Sequence, residues 1–94
     1  MSLFSLKDRV ALVTGAGRGI GRGIAEGFGQ QGATVVCAAR STDQIEEVVS
    51  SIQSREGKAS ALQIDVSNLD SITATVDTII DQFGQIDILV NNAG

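Results

Sequence analysis

A doubly wound α/β fold, with a parallel sheet in the order 3-2-1-4, is predicted by three features of this 94-residue sequence. Short apolar runs alternate with longer amphipathic stretches, the joints between them are brief and free of proline, and each run stops at a glycine or a polar turn. Parallel strands joined by helices require right-handed crossovers, and one reversal of winding places the fourth strand beside the first.

Val10–Thr14 is the first expected strand, apolar on both faces as the middle of a parallel sheet demands. Ile20 to Gln31 follows as a helix, with Ile20, Ile24 and Phe28 spaced to face the sheet and Gly32 placed as its stop. Close helix packing is the expected reason for Gly23, Gly27 and Gly29 inside that helix, each unfavourable against alanine by about 0.5–1 kcal/mol. Thr34–Ala39 is the second strand. Ser41 or Thr42 can cap the second helix, which sets Ile45, Val48, Val49 and Ile52 on one side and closes at Gly57.

Ala59–Ile64 reads as the third strand, although it is poor in β-branched residues. Ser67 is the expected cap of the third helix, with Asp70 in a capping-box-like place and Ile72, Val76, Ile79, Ile80 and Phe83 as the buried stripe, ended by Gly84. Ile86–Val90 is the fourth strand. Left bare, its apolar edge invites self-association.

With 43% apolar and 19% charged residues the chain reads as one soluble globular unit. A unit of this length buries only about two-thirds of its unfolded surface and gains from a partner or further chain. The net charge of −4 and the scattered cations argue against nucleic acid or an anionic membrane as a partner. No run approaches a membrane span or a secretory signal, so a cytoplasmic location is expected. The one cysteine, Cys37, lies in an apolar run and reads as a buried small hydrophobe.

In a doubly wound sheet ligands bind beyond the carboxyl ends of the strands. Four segments converge there: Gly15–Gly21, Ala39-Arg40-Ser41, Asp65-Val66 and Asn91–Gly94. Glycines after the first strand allow a tight turn and let backbone N–H groups approach a pyrophosphate at the helix N-terminus, though a tight turn alone needs no ligand. Gly15, Gly17, Gly19 and Gly21 match neither the common G-x-G-x-x-G fingerprint nor a Walker loop. Where an NAD site places an acid after the second strand, this chain has Arg40. An arginine there favours the 2′-phosphate of NADP over NAD, with Arg18 as a second cation, unless Arg40 is merely a solvated neighbour of the helix. With Ser67 as the cap, Asp65 is left free to accept from an adenine amino group.

Thr14-Gly15-Ala16-Gly17-Arg18-Gly19-Ile20-Gly21, then Asp65-Val66, then Asn91-Asn92-Ala93-Gly94, resemble in order and spacing the N-terminal part of a short-chain dehydrogenase/reductase of the non-extended type. The resemblance spans the whole chain. It implies a Rossmann-type domain binding NAD(P)(H), hydride transfer on a small carbonyl or alcohol substrate, and a homotetramer. At the family level the resemblance implies a 3-oxoacyl-carrier-protein reductase-like activity, with a sugar or other alcohol dehydrogenase as the alternative. By the family pattern, Gly15, Arg18, Gly19, Ile20 and Gly21 hold the pyrophosphate and adjoining ribose, and Arg40 the 2′-phosphate. Asp65 and Val66 meet adenine; Asn91, Ala93 and Gly94 line the ribose and lead to the nicotinamide; Asn91 and Asn92 also brace the central strands.

The resemblance implies that the catalytic serine and Tyr-x-x-x-Lys pair of that family lie beyond the N-N-A-G motif, and the chain contains no tyrosine and no histidine. No catalytic residue is assigned. The sequence is therefore expected to be a single cofactor-binding unit, residues 1–94, that stops short of the catalytic half and is inactive alone. A non-catalytic dinucleotide-binding or interaction module is the alternative.

Overall fold

The computed structural model describes residues 5–92. Its elements run β1 (Val10–Thr14), α1 (Gly19–Gln30), β2 (Thr34–Ala39), α2 (Thr42–Ser54), β3 (Lys58–Gln63), α3 (Leu69–Phe83) and β4 (Ile88–Asn91). The four strands form one parallel sheet in the order β3-β2-β1-β4, as expected.

Alternate residues of β1 and β2 feed two cores. Val13, Val35 and Cys37 meet Ala25 of α1 and Ile45, Val48 and Ile52 of α2 on one face. Val10, Leu12, Val36 and Ala38 meet Ile79 of α3 on the other. Cys37 is fully buried, and that burial pushes its thiol up to about 12, with the charge of Glu26 adding to the effect.

α1 does not pack by the expected face. Ile20 is 76% exposed, and the buried residues are Gly21, Ala25 and Gly29, with Ile24 and Phe28 only flanking the core. Small residues at this spacing let the helix backbone settle close to its neighbours. A Cβ on Gly29 would stand 2.8 Å from Ile52 Cγ2, so Gly29 is a packing glycine. Gly23 and Gly27 are not, because a Cβ there meets nothing within 4 Å. Gly27→Ala is accordingly expected to raise stability by about 0.5–1 kcal/mol, read as a higher midpoint in urea; a lower midpoint would show a packing role that the geometry lacks.

α2 ends at Arg55, where Glu56 turns left-handed at φ 66°, so Gly57 is not the residue that reverses the chain. Gly57 is small because Ile52 Cγ2 would lie 2.6 Å from its Cβ. Val49 is only half-buried.

At α3 the cap is Asn68, not Ser67. Asn68 Oδ1 accepts from the N–H groups of Asp70 (2.9 Å) and Ser71 (3.2 Å). Ser67 is taken by Asp65, whose Oδ1 accepts from both its N–H (3.0 Å) and its hydroxyl (2.6 Å), so the expected capping box does not form. The stripe narrows as well: Ile79 is buried, Ile72 and Phe83 are half-buried, and Val76 and Ile80 are exposed.

Two strand boundaries shift for identifiable reasons. β3 starts one residue early because Lys58 finds a partner in Thr34. β4 starts late because the Asp87 carboxylate, not a backbone carbonyl, accepts the Val10 N–H at 2.8 Å, and ladder pairing begins at Ala11 with Ile88. That N–H bond holds the Asp87 carboxyl below its ordinary value of 3.8, with Gln85 and Arg9 adding to it. A depressed carboxyl gives stability that is present above 3.8 and lost as the pH falls through the lower folded value. We expect the thermal midpoint of Asp87→Asn to lie below wild type at pH 7 and to fall less steeply in acid; parallel pH profiles would remove Asp87 from this role.

Candidate functional site

The parallel register brings the ends of all four strands to one side, where Thr14 lies level with Asn91 and Ala39 with Gln63. A cleft of about 800 Å³ opens there, lined by Gly15, Gly17, Arg18, Gly19, Ala39, Arg40, Ser41, Gln44, Ile64, Val66 and Asn92. That volume lies within the usual range for small-molecule sites.

The turn after β1 is shaped by glycine conformation. Gly15 (φ 63°) and Gly19 (φ 61°) are left-handed, and a Cβ on Gly19 would enter open space. The backbone there is thus presented bare to the cleft at the start of α1, where unpaired N–H groups and the helix dipole favour an anion. Gly17 serves a different purpose: a Cβ on it would be 2.8 Å from Gln44 Cβ. Gly21 lies beneath the turn, where a Cβ would run into the Gly15 carbonyl oxygen and stand 2.6 Å from Asn92 Nδ2.

Thr14 fastens the far side. Its hydroxyl lies 3.2 Å from Asn91 Oδ1 and 3.3 Å from the Val90 carbonyl, and it accepts the Asn92 N–H at 3.0 Å. Asn92 thereby lines the cleft, whereas Asn91 sits at a smaller apolar cavity of about 190 Å³ on the α3 side, with Leu12, Val76 and Leu89.

Two cations dominate the cleft. Among the described residues Arg18 and Arg40 form no ion pair, whereas Arg22 is committed to Glu47 (2.9 Å) and Glu26 (3.6 Å), tying α1 to α2. Asp65 lies beside Arg40 in an adjoining hollow with Gln63 and Ser71. Its carboxyl is held below the usual range first by the Ser67 hydroxyl, then by the Ser67 N–H, and less by the Arg40 charge. Asp65 is thus not the unengaged acceptor expected from sequence, because one of its oxygens already serves Ser67.

The cleft gathers Gly15, Gly17, Arg18, Gly19, Arg40 and Val66 from the sequence-derived set, with Asp65 alongside. Ile20 is exposed on the first turn of α1, outside the cleft lining, and Ala93 and Gly94 lie outside the described residues. Sequence reasoning missed Gln44 as a lining residue; the Ser41-x-x-Gln44 spacing is the signal that singles it out. It also missed the Thr14 hydroxyl. The bare glycine turn and two uncommitted guanidiniums fit a ligand carrying several phosphates.

Residues 9–94 match the family model for short chain dehydrogenase. The chain is 46% identical over 92 residues to a versicolorin reductase of Emericella nidulans, covering 97% of this chain and 35% of that protein. It is 49% identical over 90 residues to a 3-oxoacyl-(acyl-carrier-protein) reductase of Vibrio harveyi, covering 96% and 36%. A crystal structure of a metagenomic short-chain oxidoreductase in complex with NADP superposes with a TM-score of 0.93 at 42% identity, covering 95% of this chain and 40% of that one. The chain therefore spans about a third of the length of these curated relatives. No helix among the described residues is long and apolar enough to cross a membrane.

Proposed function

Because this chain belongs to the short-chain dehydrogenase/reductase family, we propose that it is the dinucleotide-binding unit of an NADP(H)-dependent oxidoreductase acting on a small carbonyl or alcohol. The observation that carries the cofactor choice is the pair Arg18 and Arg40, which line one cleft with no carboxylate in ion-pair range among the described residues. An NAD site instead places an acid after β2 to accept the ribose hydroxyls. The NADP complex of a solved relative and the reductase names of two others support the same reading.

In this reading the Gly15–Gly21 turn and the α1 N-terminus hold the pyrophosphate, with Ile20 at its edge. Arg18 and Arg40 hold the 2′-phosphate. Val66 and the remaining oxygen of Asp65 meet the adenine, and Asn91, Ala93 and Gly94 lead toward the nicotinamide. Bound NADP(H) supplies or accepts a hydride. Proton transfer to the substrate is assigned to no residue of this chain, which has neither tyrosine nor histidine and whose one thiol is buried. A homotetramer is the assembly that this reading carries with it.

Titration calorimetry on the purified protein tests it. NADPH is expected to bind at least about tenfold more tightly than NADH, the yield of one charge-assisted hydrogen-bond set. Equal affinities overturn the NADP(H) assignment, and failure to bind either dinucleotide overturns the site.

A further inference from the structure

Gln44 occupies a place in α2 where its local chemistry and its observed contacts disagree. Ser41-x-x-Gln44 has the spacing of a capping box, in which the serine hydroxyl accepts from the backbone N–H three residues on and the glutamine side chain reaches back to the serine N–H. Ser41 does occupy the N-cap of α2, yet its side chain makes no capping hydrogen bond. The Gln44 carboxamide has no hydrogen-bond partner among the described residues. It lies instead along the glycine turn, so close that a Cβ on Gly17 would be 2.8 Å from Gln44 Cβ and 2.9 Å from Gln44 Oε1. Both Ser41 and Gln44 line the cleft beside Arg40 and Arg18. A half-buried glutamine that makes no capping bond and lines the same cleft as two arginines without an ion pair points to a ligand, since local rules are broken most often where a site needs the side chain.

We propose that Gln44 is a specificity-determining residue of this cleft, its amide donating to the phosphate on the adenosine ribose beside Arg40. The proposal rests on the NADP(H) reading above and extends it from charge to geometry. A carboxamide brings two N–H donors and no charge, so it adds directed hydrogen bonds to an anion that the arginines already attract. Gly17 is the seat that makes this possible, because any larger residue there displaces Gln44 from the cleft wall. NADH lacks the phosphate and so reports on turn geometry alone.

The experiment compares NADPH and NADH dissociation constants by titration calorimetry for wild type, Gln44→Ala, Gln44→Lys and Arg40→Asp. Gln44→Ala is expected to weaken NADPH about tenfold and to leave NADH within about twofold, while Gln44→Lys, which reaches the same phosphate, keeps NADPH affinity at or above wild type. Equal weakening of both dinucleotides would show that Gln44 only shapes the turn and overturns the proposal. Unchanged NADPH binding in Gln44→Ala, with loss in Arg40→Asp, overturns it while leaving the NADP(H) reading intact. Should Arg40→Asp also bind NADPH normally, the NADP(H) reading falls and the role of Gln44 falls with it.

Discussion

Arg40→Asp is expected to weaken NADPH binding by about two orders of magnitude while NADH binding holds or improves. A hydrogen bond between charged partners contributes about 1.5–3 kcal/mol, and the new carboxylate repels the phosphate besides, so the two effects add. NADH has no phosphate to repel, and a carboxylate at the end of β2 is suited to its ribose hydroxyls. The fold has little reason to respond. Arg40 is exposed, makes no ion pair among the described residues, and contributes a fold contact through its carbonyl, which accepts from Gln63 Nε2 at 3.1 Å whatever the side chain. One secondary change follows nearby: the Asp65 carboxyl loses the small downward influence of the arginine and its ionisation moves up. Calorimetric titrations at low and high salt check the result, because the wild-type preference for NADPH is electrostatic and shrinks as salt screens it. A variant that loses NADPH and NADH equally would mean that Arg40 supports the cleft wall instead of reading the phosphate.

The sheet order, the glycine turn and the convergence of four loops are legible in the sequence because each rests on a strong pattern: doubly apolar runs, glycines directly after the first of them, and polar residues at every strand end. Less legible is anything decided by contact between distant elements. Small residues carry little hydrophobic signal, so periodicity picks out Ile20, Ile24 and Phe28, whereas the residues at closest approach are Gly21, Ala25 and Gly29. Ser67 and Asn68 are both good cap formers, and the choice falls to Asn68 only because Asp65 engages Ser67. Val76 and Ile80 belong to the apolar stripe of α3 but stay exposed, because α3 does not close on the β4 edge: a cavity of about 190 Å³ separates Val76 from Leu12 and Leu89, and Leu89 is 64% exposed. At the site, the sequence marks Asn91 and Asn92 together. Only strand alternation after Thr14 separates them, sending Asn92 to the cleft and Asn91 to the opposite face.

Gly21→Ala is expected to be the most damaging single methyl addition in the chain. The added Cβ would overlap the Gly15 carbonyl oxygen, which as backbone cannot yield easily, and would press on Asn92 Nδ2 at 2.6 Å. Gly15 is backbone, fixed by its left-handed turn at φ 63°, and the Asn92 N–H is tied to the Thr14 hydroxyl at 3.0 Å. Relief requires α1 to move away from β1 and β4 together. Overpacking of this kind costs about 1–3 kcal/mol and more when the clash is with backbone, a large share of the roughly 5–15 kcal/mol that holds a domain folded. At the upper end the melting midpoint falls by about 12–24 °C. The same movement tilts the α1 N-terminus away from the cleft, so the fraction that remains folded loses affinity for NADPH and NADH alike, unlike Arg40→Asp, which separates them. Gly27→Ala adds an identical methyl to the same helix where nothing lies within 4 Å, and its expected effect has the opposite sign. If both variants melt at the wild-type temperature, the closeness of α1 to the glycine turn is not what confines that position to glycine.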